Sequence, residues 1–232
     1  MVLGGFEKFT MVDYPGKLAT TVFTVGCSFR CPFCHNPEFV EHGTWNMEHG
    51  IIEKSFFEFL ENRKGKLEAV CITGGEPTIQ PDLISFIEKI KKMGFLVKLD
   101  SNGTRPDVLK KIIDRKIVDY IAMDIKNIPE KYSETAGVKV DIERIKLSVK
   151  LIINSRIDYE FRTTVVPGFH NEKDFEKISE WIDGARAYFL QEFRDFKVLD
   201  LQIEEKTQGK KVDLEKIKNK IGGKFGKIGI RR

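Results

Sequence analysis

Cys27, Cys31 and Cys34 fall in one short stretch, Gly26-Cys27-Ser28-Phe29-Arg30-Cys31-Pro32-Phe33-Cys34-His35-Asn36-Pro37. Thiolates are soft ligands, and three in one loop can hold three irons of a cubane iron–sulfur cluster. The fourth iron is then open to a substrate. Two rival chemistries share parts of the pattern. Cys31-x-x-Cys34-His35 fits covalent haem attachment, but that needs export and leaves Cys27 unexplained. Zinc would recruit a distant His, yet structural zinc usually draws on two paired ligand clusters and only one is present. Cys71, alone in Ala69-Val70-Cys71-Ile72, reads as a small buried hydrophobe.

Further groups that could do chemistry recur along the chain. In Thr73-Gly74-Gly75-Glu76-Pro77, two glycines would let a backbone approach a ligand closely, although a plain tight turn explains them equally. In Asp100-Ser101-Asn102-Gly103, Asp100 and Asn102 suit a binding site or simple turn and cap chemistry. Met123-Asp124-Ile125-Lys126 adds a second strand-end carboxylate. Asp100 and Asp124 together could bind a cation, or could pair with Lys98 and Lys126. Arg162 faces the same end, either toward a ligand or as a buried ion-pair partner.

The elements that must position these groups alternate. Strand-like runs at 18–25, 67–72, 95–99, 118–125, 159–166 and 196–203 are separated by helical patterns at 50–63, 81–93, 106–113, 141–153 and 174–189. The first helical pattern places Ile51, Ile52, Phe56, Phe59 and Leu60 on one face. Such alternation implies right-handed βαβ units and a parallel sheet. Six units are too few for an eight-stranded barrel. The expected fold is α/β, an open six-stranded parallel (β/α)6 barrel, with a flat doubly wound sheet as the second choice. In either, functional groups belong at the C-terminal strand ends, where these motifs fall.

The chain has 232 residues, 41% hydrophobic and 32% charged, which suits a soluble globular protein with a real core. No run is long enough to span a bilayer, and no secretory signal opens the sequence, so the expected compartment is the cytoplasm. Clustered cysteines in that setting speak for a metal site rather than disulfides. Residues 1–205 are expected to form the core domain, followed over 206–232 by a basic helix and tail. Residues 205–232 hold ten Lys/Arg against three Asp/Glu. A solvated lysine face explains that better than nucleic-acid binding.

The CxxxCxxC spacing, with aromatic Phe33 before the last Cys, resembles the radical S-adenosylmethionine (SAM) superfamily. Gly74-Gly75-Glu76-Pro77, Asp100-Ser101-Asn102-Gly103, Asp124-Ile125-Lys126 and the Arg162 segment resemble its further motifs, in order, over roughly residues 10–205. The resemblance implies that Cys27, Cys31 and Cys34 ligate one 4Fe–4S cluster, whose fourth iron takes the amine and carboxylate of SAM. It implies that Phe33, His35, Gly74, Gly75, Glu76, Pro77, Asp100, Ser101, Asn102, Lys126 and Arg162 frame SAM, and that Asp100 and Asp124 hold a monovalent cation. Cys34-His35-Asn36-Pro37 and Asp13-Tyr14-Pro15-Gly16-Lys17 are similar to stretches of glycyl-radical-enzyme activating proteins, most of all the anaerobic ribonucleoside-triphosphate reductase type. An oxidoreductase of that kind works with a glycyl-radical enzyme as protein substrate and an external one-electron donor such as flavodoxin or ferredoxin. Pyruvate formate-lyase activators carry a SAM-contacting His after the sixth strand. Here no His follows His170. That type, a radical SAM enzyme acting on a small molecule and a non-catalytic zinc or cluster module remain as alternatives.

Overall fold

The computed structural model describes residues 1–40 and 53–232. Ile51 and Ile52, expected on the first helix, lie outside them. Among the described residues one sheet has eight strands in chain order: β1 (Leu3–Thr10), β2 (Ala19–Thr24), β3 (Ala69–Gly74), β4 (Leu96–Ser101), β5 (Tyr120–Asp124), β6 (Asp158–Val165), β7 (Ala187–Glu192) and β8 (Lys227–Arg231). β1 is antiparallel to β2, and every pairing from β2 to β8 is parallel. The crossovers carry α1 (Glu53–Glu61), α2 (Leu83–Lys92), α3 (Pro106–Arg115), α4 (Tyr132–Ala136), α5 (Ile142–Ile153), α6 (Glu172–Trp181), α7 (Ile203–Thr207) and α8 (Leu214–Ile221). β1 and β8 are opposite edges, so the sheet stays open. None of the described helices is long and apolar enough to cross a membrane.

The two faces of the sheet differ in chemistry. Val22, Val70, Ile72, Val97, Leu99, Ile121, Met123 and Phe161 are fully buried toward the helices and form one core with their apolar stripes. Their neighbours, such as Thr21, Thr73, Asp100, Asp124, Arg162 and Thr164, line a cavity on the other face. A parallel sheet is ordinarily apolar on both faces. The polar inner face is where this one departs from packing logic.

The eight strands correct the expected six. The helical pattern over 174–189 ends at Trp181, because Gly184 turns the chain at φ 74° and residues from Ala187 onward enter β7. The expected strand at 196–203 is a loop leading into α7: Lys197 is left-handed at φ 51° and Phe196 is 60% exposed. Gly184 is an ordinary helix-stop residue and was the available signal. β1 and β8 were not foreseen, since glycine and lysine weaken their strand pattern. The basic stretch beyond 205 does contain a helix, α8, but its end pairs with β7 as β8. Arg231 secures it by donating to both oxygens of buried Glu160 at 2.6 and 2.7 Å.

Candidate active site

The cysteine loop leaves the C-terminal end of β2. Gly26 and Cys27 donate their backbone N–H groups to Phe39 and Val40 carbonyls at 2.8 and 3.0 Å, and Arg30 N–H donates to Ala136. The Arg30 guanidinium reaches back to the Cys27 and Phe29 carbonyls. Phe29 and Phe33 are buried, against Tyr132 and Phe169 respectively. None of the three loop cysteines is in a disulfide. Burial pushes the thiols up, Cys27 to about 12 and Cys31 to about 11, with Cys34 raised as well. The Lys126 ammonium pulls all three back toward the thiolate.

These thiols border a cavity of about 440 Å³ on the inner face, within the range that holds one small organic ligand. All of the residues expected at the site line it except Pro77. Pro77 is buried instead, opening a short 3-10 turn capped by Glu76. His35 is at the rim, its Nε2 2.8 Å from the Arg194 carbonyl and its ring stacked with Phe193 and Phe196. The loop after β7 thereby covers the cysteine loop, with Asp200 N–H donating to Pro32.

The glycine turn is shaped by contacts within the chain. Gly74 has φ 104°, and a Cβ at Gly75 would stand 2.1 Å from the Gly26 carbonyl oxygen. The close approach is therefore between two segments of this chain, with Gly75 donating to Thr24 and Glu76 to Gly26. Glu76 lines the cavity with its carboxylate held by groups of this chain. It is buried and accepts from Thr78 N–H at 3.1 Å, the Thr78 hydroxyl, Ser101 Oγ at 2.9 Å and Asn102 N–H at 2.6 Å. Burial raises its pKa, and those donors oppose the rise. Its work is to tie the end of β3 to the end of β4.

Asp100 and Asp124 meet around one cation, Arg162, rather than around an empty space. Arg162 Nη2 is 2.9 Å from Asp100 and its Nε is 2.5 Å from Asp124. Lys98 takes the other Asp100 oxygen at 2.5 Å, and Lys126 the other Asp124 oxygen at 2.8 Å. Each of the four carboxylate oxygens accepts from one of these three cations. Of the three cations, Arg162 and Lys126 line the cavity together with both carboxylates, and Lys126 is the one that acts on the thiols. Burial works to raise both carboxyls, but Arg162 with Lys98 or Lys126 outweighs it and holds them below the usual range.

The sequence reading missed Thr21, Phe23, Thr73, Thr164 and Gln191 on the cavity wall; Cys71, read as a small buried hydrophobe, is fully buried in a core cluster with Tyr14, Ala19 and Ala69 and also borders the cavity. Strand periodicity was the usable signal: each is two residues from another inward position. Asp13 also reaches the cavity, accepting from Thr21 Oγ1 at 2.5 Å. Among the described residues no three His, Cys, Asp or Glu side chains converge on one metal ion. A cubane takes each thiolate at a different iron, so three soft thiols that border one cavity without converging on one point fit that group better than a single zinc.

Comparison with known proteins gives the class. The model of the radical SAM superfamily matches residues 21–182, and the chain belongs to that superfamily. A Methanocaldococcus jannaschii protein named as a glycyl-radical enzyme activating enzyme is 33% identical over 97% of this chain and 92% of its own. The pyruvate formate-lyase-activating enzyme of Clostridium pasteurianum is 27% identical over 92% of this chain and 97% of its own. Streptococcus suis SuiB bound to S-adenosylmethionine shares the fold at TM-score 0.64, with 13% identity over 90% of this chain and 49% of that one. Within the superfamily, this chain is an enzyme of the glycyl-radical-enzyme activating family, which uses a 4Fe–4S cluster and SAM.

Proposed function

We propose that this enzyme generates the glycyl radical of anaerobic ribonucleoside-triphosphate reductase in the cytoplasm, drawing electrons from an external donor of the flavodoxin or ferredoxin class. The observation that carries the site assignment is the meeting of three free thiols with the ion-paired strand ends, Lys126–Asp124 and Arg162–Asp100, in one cavity. Cys27, Cys31 and Cys34 would each hold an iron. When bound, the cluster would pass one electron from the external donor to the sulfonium of SAM and so supply the radical chemistry that removes a hydrogen from a glycine Cα. Everything else is the work of the chain. Lys126 places a positive charge beside the thiols. Arg162 holds both strand-end carboxylates in place. Phe29 and Phe33 close the loop against water. The Gly74–Gly75 backbone and the Ser101–Asn102 turn line the cavity that would hold SAM.

The open inner face suits entry of a glycine-bearing loop, and Asp13 stands inside it. The partner type rests on the Asp13-Tyr14-Pro15-Gly16-Lys17 resemblance. Pyruvate formate-lyase activation is the second reading, supported by the full-length similarity to the Clostridium enzyme. Against it, no His follows His170, and His170 itself is buried outside the cavity lining, its Nε2 2.7 Å from the Lys126 carbonyl. Electron paramagnetic resonance on each candidate partner, mixed with reduced enzyme and SAM, separates the readings. A glycyl radical on the reductase alone supports the first. A radical on pyruvate formate-lyase alone supports the second, and multiple turnover of a small molecule with neither radical overturns both.

A further inference from the structure

We propose that Asn102 is a positioning residue that sets the reduction potential of the cluster by donating its side-chain amide to the Cys27 sulfur. The inference rests on the reading that Cys27 is a cluster ligand.

Asn102 is 6% exposed, wedged between the end of β4 and the cysteine loop. Its Oδ1 accepts from the Thr104 backbone N–H at 3.1 Å and from the Thr104 hydroxyl at 2.8 Å. A backbone N–H can only donate, so this contact fixes which end of the amide is oxygen. Nδ2 therefore faces the cysteine loop, 3.0 Å from Ser28 Oγ and 3.8 Å from Cys27 Sγ. An amide nitrogen carries two hydrogens, and each has one acceptor here. The four bonds of the side chain are complete, and one of them goes to sulfur.

The group is also held from behind. Asn102 N–H donates to buried Glu76 at 2.6 Å, and the same carboxylate grips Thr78 and Ser101. Phe29 N–H approaches the same sulfur at 3.4 Å. Cys27 is thus a corner with two donors, one of them a side chain that substitution can remove. A donor at a thiolate sulfur stabilises negative charge. The reduced cluster carries one more negative charge than the oxidised one, so losing the donor moves the potential down.

The test compares three variants of the anaerobically reconstituted protein by redox titration, with iron measured on the same samples. Asn102→Asp keeps an oxygen for Thr104 and removes the donor. Asn102→Ala removes both. Thr104→Val keeps the backbone N–H that orients the amide. Both Asn102 variants should have more negative midpoints, Asn102→Asp the more so. At the wild-type midpoint its reduced-to-oxidised ratio should fall about tenfold, equivalent to about 59 mV for one electron. Thr104→Val should match wild type. An unchanged midpoint in iron-loaded Asn102→Asp overturns the proposal. If the Asn102 variants fail to load iron, wild type labelled with nitrogen-15 in the asparagine side-chain amide decides by pulsed paramagnetic resonance. A coupling from that nitrogen to the reduced cluster supports the bond, and its absence overturns it. If Cys27→Ala still assembles the full cluster, it is the ligand assignment that fails.

Discussion

At the residue scale, Gly75 and Asp124 carry sharp expectations. The Gly75 Cα faces the Gly26 carbonyl, one residue before the first cysteine, and a Cβ there would also come within 2.8 Å of the Phe39 carbonyl. Backbone cannot yield as a side chain does. Gly75→Val should therefore cut iron incorporation severalfold, rather than spare the cluster and block SAM alone, and iron per chain reads this directly. Asp124 titrates below its ordinary value of 3.8 in the folded protein. A depressed carboxyl gives stability that is present above its unfolded pKa and lost as pH falls through its folded one. Denaturant unfolding of wild type should weaken as pH falls below about 4, while Asp124→Asn should be less stable at pH 7 and show a flatter acid limb. That Cys27, Cys31 and Cys34 share one loop was legible in the sequence, because their spacing is local. The pairing of Asp100 with Lys98 and of Asp124 with Lys126, and Arg162 as an ion-pair partner, were among the readings left open; that Arg162 bridges both carboxylates was not legible, because register between β4, β5 and β6 decides it.

At the element scale, what was readable tracks amphipathic contrast. α2, α3 and α5 appear where apolar spacing placed them, bounded by Pro106 at a helix start and Asp141 as a cap. β7 was hidden because Phe175, Ile178 and Ile182 lead smoothly into Ala185 and Tyr188, all buried in one core. The break at Gly184 is a single residue within that run. β8 depends on a tertiary contact no local pattern reveals, the Arg231–Glu160 pair with Tyr120 as third partner at 3.0 Å. Glu160 is 1% exposed and Arg231 34%. Arg231→Ala would strand a buried carboxylate, at about 3 kcal/mol, the low end for a broken buried pair because the arginine is partly solvated. Adding Glu160→Gln should recover part of that loss. Urea midpoints of the single and double variants check it. Equal destabilisation in both would mean that strand docking, not the unpaired charge, dominates.

At the scale of the whole molecule, the open sheet is the functional statement. Among the described residues the polar inner face is lined from β2 to β7 and β1 and β8 stay apart as edges, which under the proposed function gives a glycine-bearing chain a side from which to approach. Asp13 lies on that route, at the turn where Phe9, Met11 and Val12 are exposed. Asp13→Ala should leave iron content and uncoupled SAM cleavage unchanged while lowering glycyl-radical yield on the partner. Equal radical yield would remove this turn from the substrate path. Beneath all of this is the claim that Cys27, Cys31 and Cys34 hold a redox cluster that cleaves SAM. Formation of 5′-deoxyadenosine from SAM by reduced, anaerobically reconstituted protein tests it most directly. Wild type and Cys71→Ala, each holding about four irons as one 4Fe–4S cluster requires, should form it, and Cys27→Ala, Cys31→Ala and Cys34→Ala should not. A wild-type protein that takes up zinc but no iron, or that loads iron yet leaves SAM intact, would contradict the account.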